Sequence, residues 1–170
     1  MTRACRGVTL IELLISVALG FILIMLAIPA YNSWTADAEV SSAASMLADG
    51  MRAARVEAIK QNTSVEFVVS PSGWDARFAS SGTSITGGTF QEGAKRATVN
   101  PQPGGTSIVT FNGLGGSEIK NADATDPVEW IDVNVTGSSR PLRVIRGANS
   151  TGIRVCDPKF SWPSDPKGCP

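Results

Sequence analysis

Arg6-Gly7-Val8-Thr9-Leu10-Ile11-Glu12-Leu13-Leu14 is the stretch on which the reading of the fold turns. A basic residue and a glycine stand directly before a long apolar run, and a single acid, Glu12, interrupts that run five positions after the glycine. Apart from Glu12 and Ser16, every residue from Leu10 to Ile28 is apolar or glycine. As a helix this run is about 28 Å long at ~1.5 Å per residue, close to the ~30 Å hydrocarbon core of a bilayer. A carboxylate there costs up to about 3 kcal/mol at bilayer centre, so Glu12 is a residue retained for a use. An ordinary secretory signal has a shorter apolar stretch followed by a small-residue cleavage site. Ala36-Asp37-Ala38 offers such a site, but the run before it is too long and its acid is misplaced. A plain membrane anchor explains the length and leaves Gly7 and Glu12 without a reason.

The combination of Gly7, the apolar run, Glu12 and Pro29 resembles the class III leader of type IV pilins and of type II secretion pseudopilins. The resemblance implies a cut between Gly7 and Val8 by an inner-membrane prepilin peptidase, and methylation of the new Val8 amine. It also implies an assembly role for Glu12. Within lipid its carboxylate needs a cation, and the nearest new one is the N-terminal amine of a neighbouring subunit. Snorkelling of Glu12 to the headgroups is the alternative. Most members carry Phe where this chain has Val8, and Pro29 stands where pilins commonly have a proline kink.

On this reading residues 1–7 are the leader, 8–34 the transmembrane half of a long helix, and 35–62 its amphipathic half. Residues 63–155 form a β-rich periplasmic head and 156–170 a C-terminal disulfide loop. The remaining 163 residues suffice for one membrane helix and one small domain. The full chain holds 15 basic and 15 acidic residues, so net charge names no partner. Losing Arg3 and Arg6 leaves the mature chain two charges on the acidic side. Charge is nevertheless segregated. Glu118, Asp123, Asp126, Glu129 and Asp132 face only Lys120, whereas Arg140, Arg143, Arg146, Arg154, Lys159 and Lys167 face only Asp157 and Asp165. Cys5 leaves with the leader, so Cys156 and Cys169 remain as an even pair in an oxidising compartment. A bridge between them closes a loop of about 14 residues, worth ~3 kcal/mol on chain-entropy grounds; two free thiols are the alternative.

Val40, Ala44, Leu47, Met51, Ala54 and Ala58 are spaced by four and three residues and make one apolar stripe, with Ser41, Ser45, Asp49 and Arg52 away from it. The stripe is rich in small residues and suits close packing on a flat surface. It covers under three heptads, which argues for a head rather than a coiled coil. Asn62-Thr63 ends the helix. Val65–Val69 and Trp74–Phe78 across Pro71-Ser72-Gly73 predict a hairpin. Further strands are expected at Ala97–Asn100, Ser107–Phe111, Trp130–Val135, Leu142–Ile145 and Ile153–Cys156, with loops over Ser80–Thr89 and Asn100–Gly105.

Arg52-Ala53-Ala54-Arg55-Val56-Glu57-Ala58-Ile59-Lys60 running into a strand resembles the GspH/FimT branch of these proteins. So do Val109-Thr110-Phe111-Asn112-Gly113-Leu114-Gly115, with its Phe-x-x-x-Gly element, and Gly152-Ile153-Arg154-Val155-Cys156. The branch implies an α+β pilin-like fold in which two β-sheets pack on the C-terminal half of the helix. Its members are minor pilins of type IV pili and a minor pseudopilin of type II secretion. The implied partners are other minor and major pilins or pseudopilins, the inner membrane and prepilin peptidase. The C-terminal cysteine loop favours a pilus-tip or assembly-initiating subunit over the pseudopilus. Some members bind DNA through a Gly-Arg-x-Arg element near the C-terminus; here Ile153 replaces the first arginine. Arg140, Arg143, Arg146, Arg154, Lys159 and Lys167 are then the candidate phosphate contacts, with Phe160 or Trp162 to stack on bases. The alternative is a solvated strand face.

Enzyme chemistry finds little support. There is no histidine, so neither an imidazole base nor a histidine metal ligand exists. Gly113-Leu114-Gly115-Gly116 lacks the spacing and the following helix of a phosphate loop. Asp123, Asp126, Glu129 and Asp132 could offer oxygens to calcium, but acids in such a run more often form turns and solvated faces. The expectation is no cofactor, no metal, no small-molecule substrate and no catalytic residue.

Overall fold

The computed structural model describes residues 9–147 and 152–170; Gly7 and Val8, at the expected cut, lie outside the described residues. Helix α1, Leu10–Gln61, runs for 52 residues. Thr9 caps its start, its Oγ1 accepting the Glu12 N–H at 3.3 Å. The helix continues through Pro29. Asn62 ends it in the left-handed conformation at φ 49°, its N–H returned to the carbonyls of Ala58 and Ile59, where a short polar side chain tolerates that geometry best after glycine.

The two halves of α1 meet different surroundings. From Leu10 to Ile28 its large apolar side chains are exposed all round. From Ala36 onward Ala36, Val40, Ala43, Ala44, Leu47, Ala48, Met51, Ala54 and Ala58 are buried, so the expected stripe is present and one row wider. The extra width follows from what it packs on: not one sheet but two. Strands β1 (Val65–Ser70), β2 (Gly73–Phe78), β3 (Ser84–Thr89) and β5 (Ile108–Phe111) form one sheet in the order β3-β2-β1-β5. Strands β4 (Ala97–Gln102), β6 (Trp130–Val135), β7 (Leu142–Arg146), β8 (Ile153–Ser161) and β9 (Gly168–Cys169) form the other, in the order β4-β6-β7-β8-β9. Phe67, Val65 and Val109 come to the shared core from the first sheet, Ile131, Val133 and Val144 from the second. This is the α+β arrangement that the sequence predicts.

Two loop expectations are corrected. Within Ser80–Thr89, residues Ser84–Thr89 form edge strand β3. The Gly87-Gly88 pair that reads as a loop signal serves packing instead. Gly88 lies opposite Trp74 across the strands, and a Cβ there would fall 2.6 Å from Trp74 Nε1. Within Asn100–Gly105, β4 continues to Gln102 and pairs Pro101 with Ile131. β4 is an edge strand of its sheet, so the proline's missing N–H costs no ladder bond. β8 also runs well past Cys156, to Ser161.

Gly50 sets how near the helix approaches. A Cβ there would stand 2.5 Å from Trp74 Cδ2 and 2.9 Å from Phe67 Cε2, two rings that stack on each other at 5.8 Å. Gly→Ala in a helix ordinarily gains up to about 1 kcal/mol, and overpacking costs about 1–3 kcal/mol. Gly50→Ala is therefore expected to lower the melting temperature of the head; an unchanged or raised value contradicts this packing.

Two carboxylates on the two flanks of the helix tie its middle to one end of the second sheet, where Arg96 precedes β4 and Ser138 and Ser139 follow its partner β6. Asp37 accepts from the Ser138 hydroxyl at 2.6 Å, the Ser139 N–H at 2.8 Å and the Ser139 hydroxyl at 2.9 Å. Glu39 accepts from the Arg96 N–H at 3.0 Å and its Nε at 3.1 Å. The Ser138 hydroxyl is the largest cause holding Asp37 below its ordinary 3.8, with desolvation opposing. Arg96 likewise holds Glu39 below 4.5. Since both folded values are depressed, their stabilisation is complete above the ordinary values and lost as pH falls through the lowered ones. Head stability is thus expected to drop below about pH 4, and Asp37→Asn to flatten that acid limb while lowering stability at neutral pH. An acid limb identical in the wild type and Asp37→Asn would refute the clasp.

Candidate functional site

No enclosed reactive centre is formed among the described residues, so the functional features are surfaces. The first is the start of α1. Glu12 occupies the third helical position after Thr9, the place of the acid in a capping box. Its N–H is taken by Thr9 and its carboxylate has no hydrogen-bond partner among the described residues. A carboxylate in a first turn also suits the helix dipole. Its place in the first turn is a local reason for an acid at this position, which the sequence reading does not contain.

The second is the C-terminal segment. Cys156 and Cys169 form a disulfide with Cα atoms 5.2 Å apart, 13 positions apart in sequence. It fastens β9, whose Gly168 and Cys169 lie parallel along β8. Gly168 is required there, since a Cβ would fall 2.6 Å from the Ser161 carbonyl carbon. Phe160 and Trp162 are exposed beside it.

The six cations singled out in sequence do not form one stripe. Arg143 lies on the outer face of the second sheet, paired with Asp132 through Nε at 2.6 Å and a second nitrogen at 3.2 Å, and over the Trp130 ring at 5.0 Å. Arg146 faces the seam between the sheets. Its Nε donates to the Val128 carbonyl at 2.8 Å and another nitrogen to the Ser117 hydroxyl at 2.7 Å. Burial pulls its pKa below the ordinary guanidinium value, partly offset by Glu129. Of the six candidate phosphate contacts, these two are thus engaged within the head: Arg143 with β6, and Arg146 with the segments that carry Val128 and Ser117. Lys159 Nζ donates to the Ser139 carbonyl, beside Arg140. Arg154 lies over the Trp162 ring at 5.1 Å. Arg140, Arg154 and Lys167 are exposed.

The acidic run is organised around buried Asn121. This side chain accepts from the Thr110 N–H and hydroxyl and donates to the Ile108 and Asp126 carbonyls. Asp123 accepts from Thr125, Asp126 pairs with Lys120, and Asp132 with Arg143. Beside this loop lies an open cleft of about 460 Å³ lined by Ser117, Glu118, Asp126, Glu129 and Arg146 among others. The Phe-x-x-x-Gly element forms the turn against the helix end: Asn112 Oδ1 accepts from Leu114 and Gly116, and Gly115 abuts Ile59.

Sequence reasoning missed Asp37, Glu39 and Arg96, whose partners are far apart in the chain and carry no local signal. It also passed over Tyr31 and Trp34, whose position just beyond the apolar run is a readable one. Their rings lie 6.3 Å apart.

The family of the type II transport protein GspH matches residues 43–159, more than two thirds of the chain. The prokaryotic N-terminal methylation motif matches residues 2–28. No curated protein and no solved structure matches. With a pilin fold, a methylation motif and the family's match over the head, the chain belongs to the GspH family and is a minor pilin or pseudopilin of the GspH/FimT type.

Proposed function

We propose that this protein is a minor subunit of a type IV pilus, inserted in the inner membrane through Leu10–Ile28, cut after Gly7, and joining the tip or assembly-initiating complex. The observation that supports this reading most is the continuity of α1. One helix is wholly exposed and apolar over its first five turns, then buried against a head over the rest. A segment apolar on every side requires either lipid or other apolar helices around it. A filament subunit needs both in turn, lipid before assembly and neighbouring helices after. No catalytic role is assigned, since the family is structural.

Glu12 is the proposed register device, pairing with the Val8 amine of a neighbour. Its capping position offers a direct way to separate the two roles. Gln serves in a capping box as Glu does but carries no charge. Both Glu12→Gln and Glu12→Ala are expected to insert in the membrane normally, or better, and to reduce incorporation into filaments strongly. Normal incorporation of Glu12→Gln would leave the Glu12 charge without an assembly role.

The secretion pseudopilus is the second reading, and the family description favours it. Complementation separates the two: loss of piliation in a deletion strain supports the pilus, and loss of exoprotein secretion with pili intact supports the pseudopilus.

DNA binding by the head is the third reading, carried by the exposed Arg154–Trp162 pair and by Arg140 and Lys167. Because Arg143 and Arg146 are structural, the informative variant is Arg140→Gln/Arg154→Gln/Lys167→Gln. If DNA is a ligand, the oxidised head binds duplex with affinity falling steeply with salt, and the triple variant loses it at unchanged melting temperature. No salt-sensitive binding by the wild-type head removes this reading.

A further inference from the structure

The two carboxylate ties do more than hold the helix. They gather cations at one level of it. Arg96, bound to Glu39, also reaches Thr35 Oγ1 at 3.5 Å. Lys95 precedes it, and its charge acts on Glu39. On the other flank of the helix, Asp37 holds Ser138 and Ser139, Arg140 follows directly, and Lys159 Nζ donates to the Ser139 carbonyl. Asp37 and Glu39 lie about 200° apart around the helix at ~100° per residue, so these groups flank it on both sides. All four cations belong to exposed residues. Against them stand Asp37 and Glu39, both committed to bonds with the head, and Asp157, which is buried and accepts from the Lys159 N–H at 2.9 Å; among exposed side chains at this level the four cations face Glu92.

Height along the axis decides what this collar meets. Helix residues 35–39 lie about 10–16 Å beyond Ile28 at ~1.5 Å per residue. The headgroup layer extends about 5–8 Å beyond the hydrocarbon. The field of an anionic surface reaches about one Debye length further, ~8 Å at physiological ionic strength. Between the apolar run and the collar stand Tyr31 and Trp34, 64% and 67% exposed. Their place is that of an interfacial aromatic belt. Apolar segment, aromatic pair and cationic collar thus follow each other in the order in which a bilayer presents hydrocarbon, interface and charge.

We propose that Lys95, Arg96, Arg140 and Lys159 dock the head on the anionic phospholipid headgroups of the membrane that α1 enters, before the subunit is drawn into a filament. This rests on the reading of Leu10–Ile28 as membrane-embedded. A polynucleotide at the same level would lie against lipids of its own charge, which favours lipid as the occupant. Docking on two sides of the helix would hold it near the bilayer normal and present the head in one orientation to an incoming neighbour.

The test uses the full mature chain with its disulfide intact, in nanodiscs. A fluorescent unnatural amino acid at Thr136, an exposed residue in the turn beside the collar, serves as donor to acceptor-labelled headgroups. Energy transfer is expected to be higher in discs containing phosphatidylglycerol than in phosphatidylcholine alone, and to fall to the phosphatidylcholine level at high salt. Lys95→Gln and Arg140→Gln are each expected to lower the ratio of docked to undocked heads about fivefold, the equivalent of about 1 kcal/mol per cation. Lys95→Arg and Arg140→Lys should keep it. Neither side chain has a hydrogen-bond partner among the described residues, so melting curves should not change. Equal transfer in both lipids, or Gln variants that dock as the wild type does, overturns the proposal while leaving membrane anchoring intact. A chain that fails to co-migrate with either disc overturns anchoring, and the docking proposal with it.

Discussion

The structure depends on one contact: a single face of α1, built mainly of alanine with Gly50 at its closest point, pressed against two sheets at once. Larger residues would push the helix away from Trp74 and Phe67 and open the seam between the sheets. The contact also explains why the helix can be so long. Helical propensity alone gives marginal stability, and the packed face supplies the rest for its second half. The first half has no such partner among the described residues. Its stability must come from an apolar solvent, and its backbone, satisfied internally, is the form a chain takes in lipid.

Charge in this protein serves mostly to join elements. Arg143 and Arg77 each connect two strands, through Asp132 and Glu66 respectively, and Arg146 joins β7 to the Val128 carbonyl in the segment before β6. Arg96 and Asp37 connect the helix to the head. A tally of charges along the sequence therefore overstates how basic the C-terminal surface is. Among the exposed cations, Lys95 and Arg140 have no side-chain hydrogen bond among the described residues.

Much of this was legible in advance. The apolar period changes at residue 35, the stripe from Val40 to Ala58 is wholly buried, and Asn62 caps the helix where a short polar residue followed by threonine suggested an end. Trp130–Val135 reads as a strand because buried and exposed residues alternate along it. What failed were places where a local signal had a tertiary cause. Gly87-Gly88 reads as a loop until Trp74 is seen lying across it. Pro101 reads as a breaker until its strand proves to be an edge. Arg143 and Arg146 read as surface because nothing local announces Asp132, eleven residues earlier, or the Val128 carbonyl. The disulfide was readable from parity once Cys5 was assigned to the leader. The clasps of Asp37 and Glu39, spanning most of the head, were not.

Whether α1 starts at a processed, charged terminus and carries the head is decided by the N-terminus of the protein isolated from membranes. The expected chain begins at N-methylated Val8, with residues 1–7 absent. An intact Met1 would mean a plain anchor, and a chain beginning at Glu39, after Ala36-Asp37-Ala38, would mean an exported protein freed of its apolar helix. Either result would contradict the account.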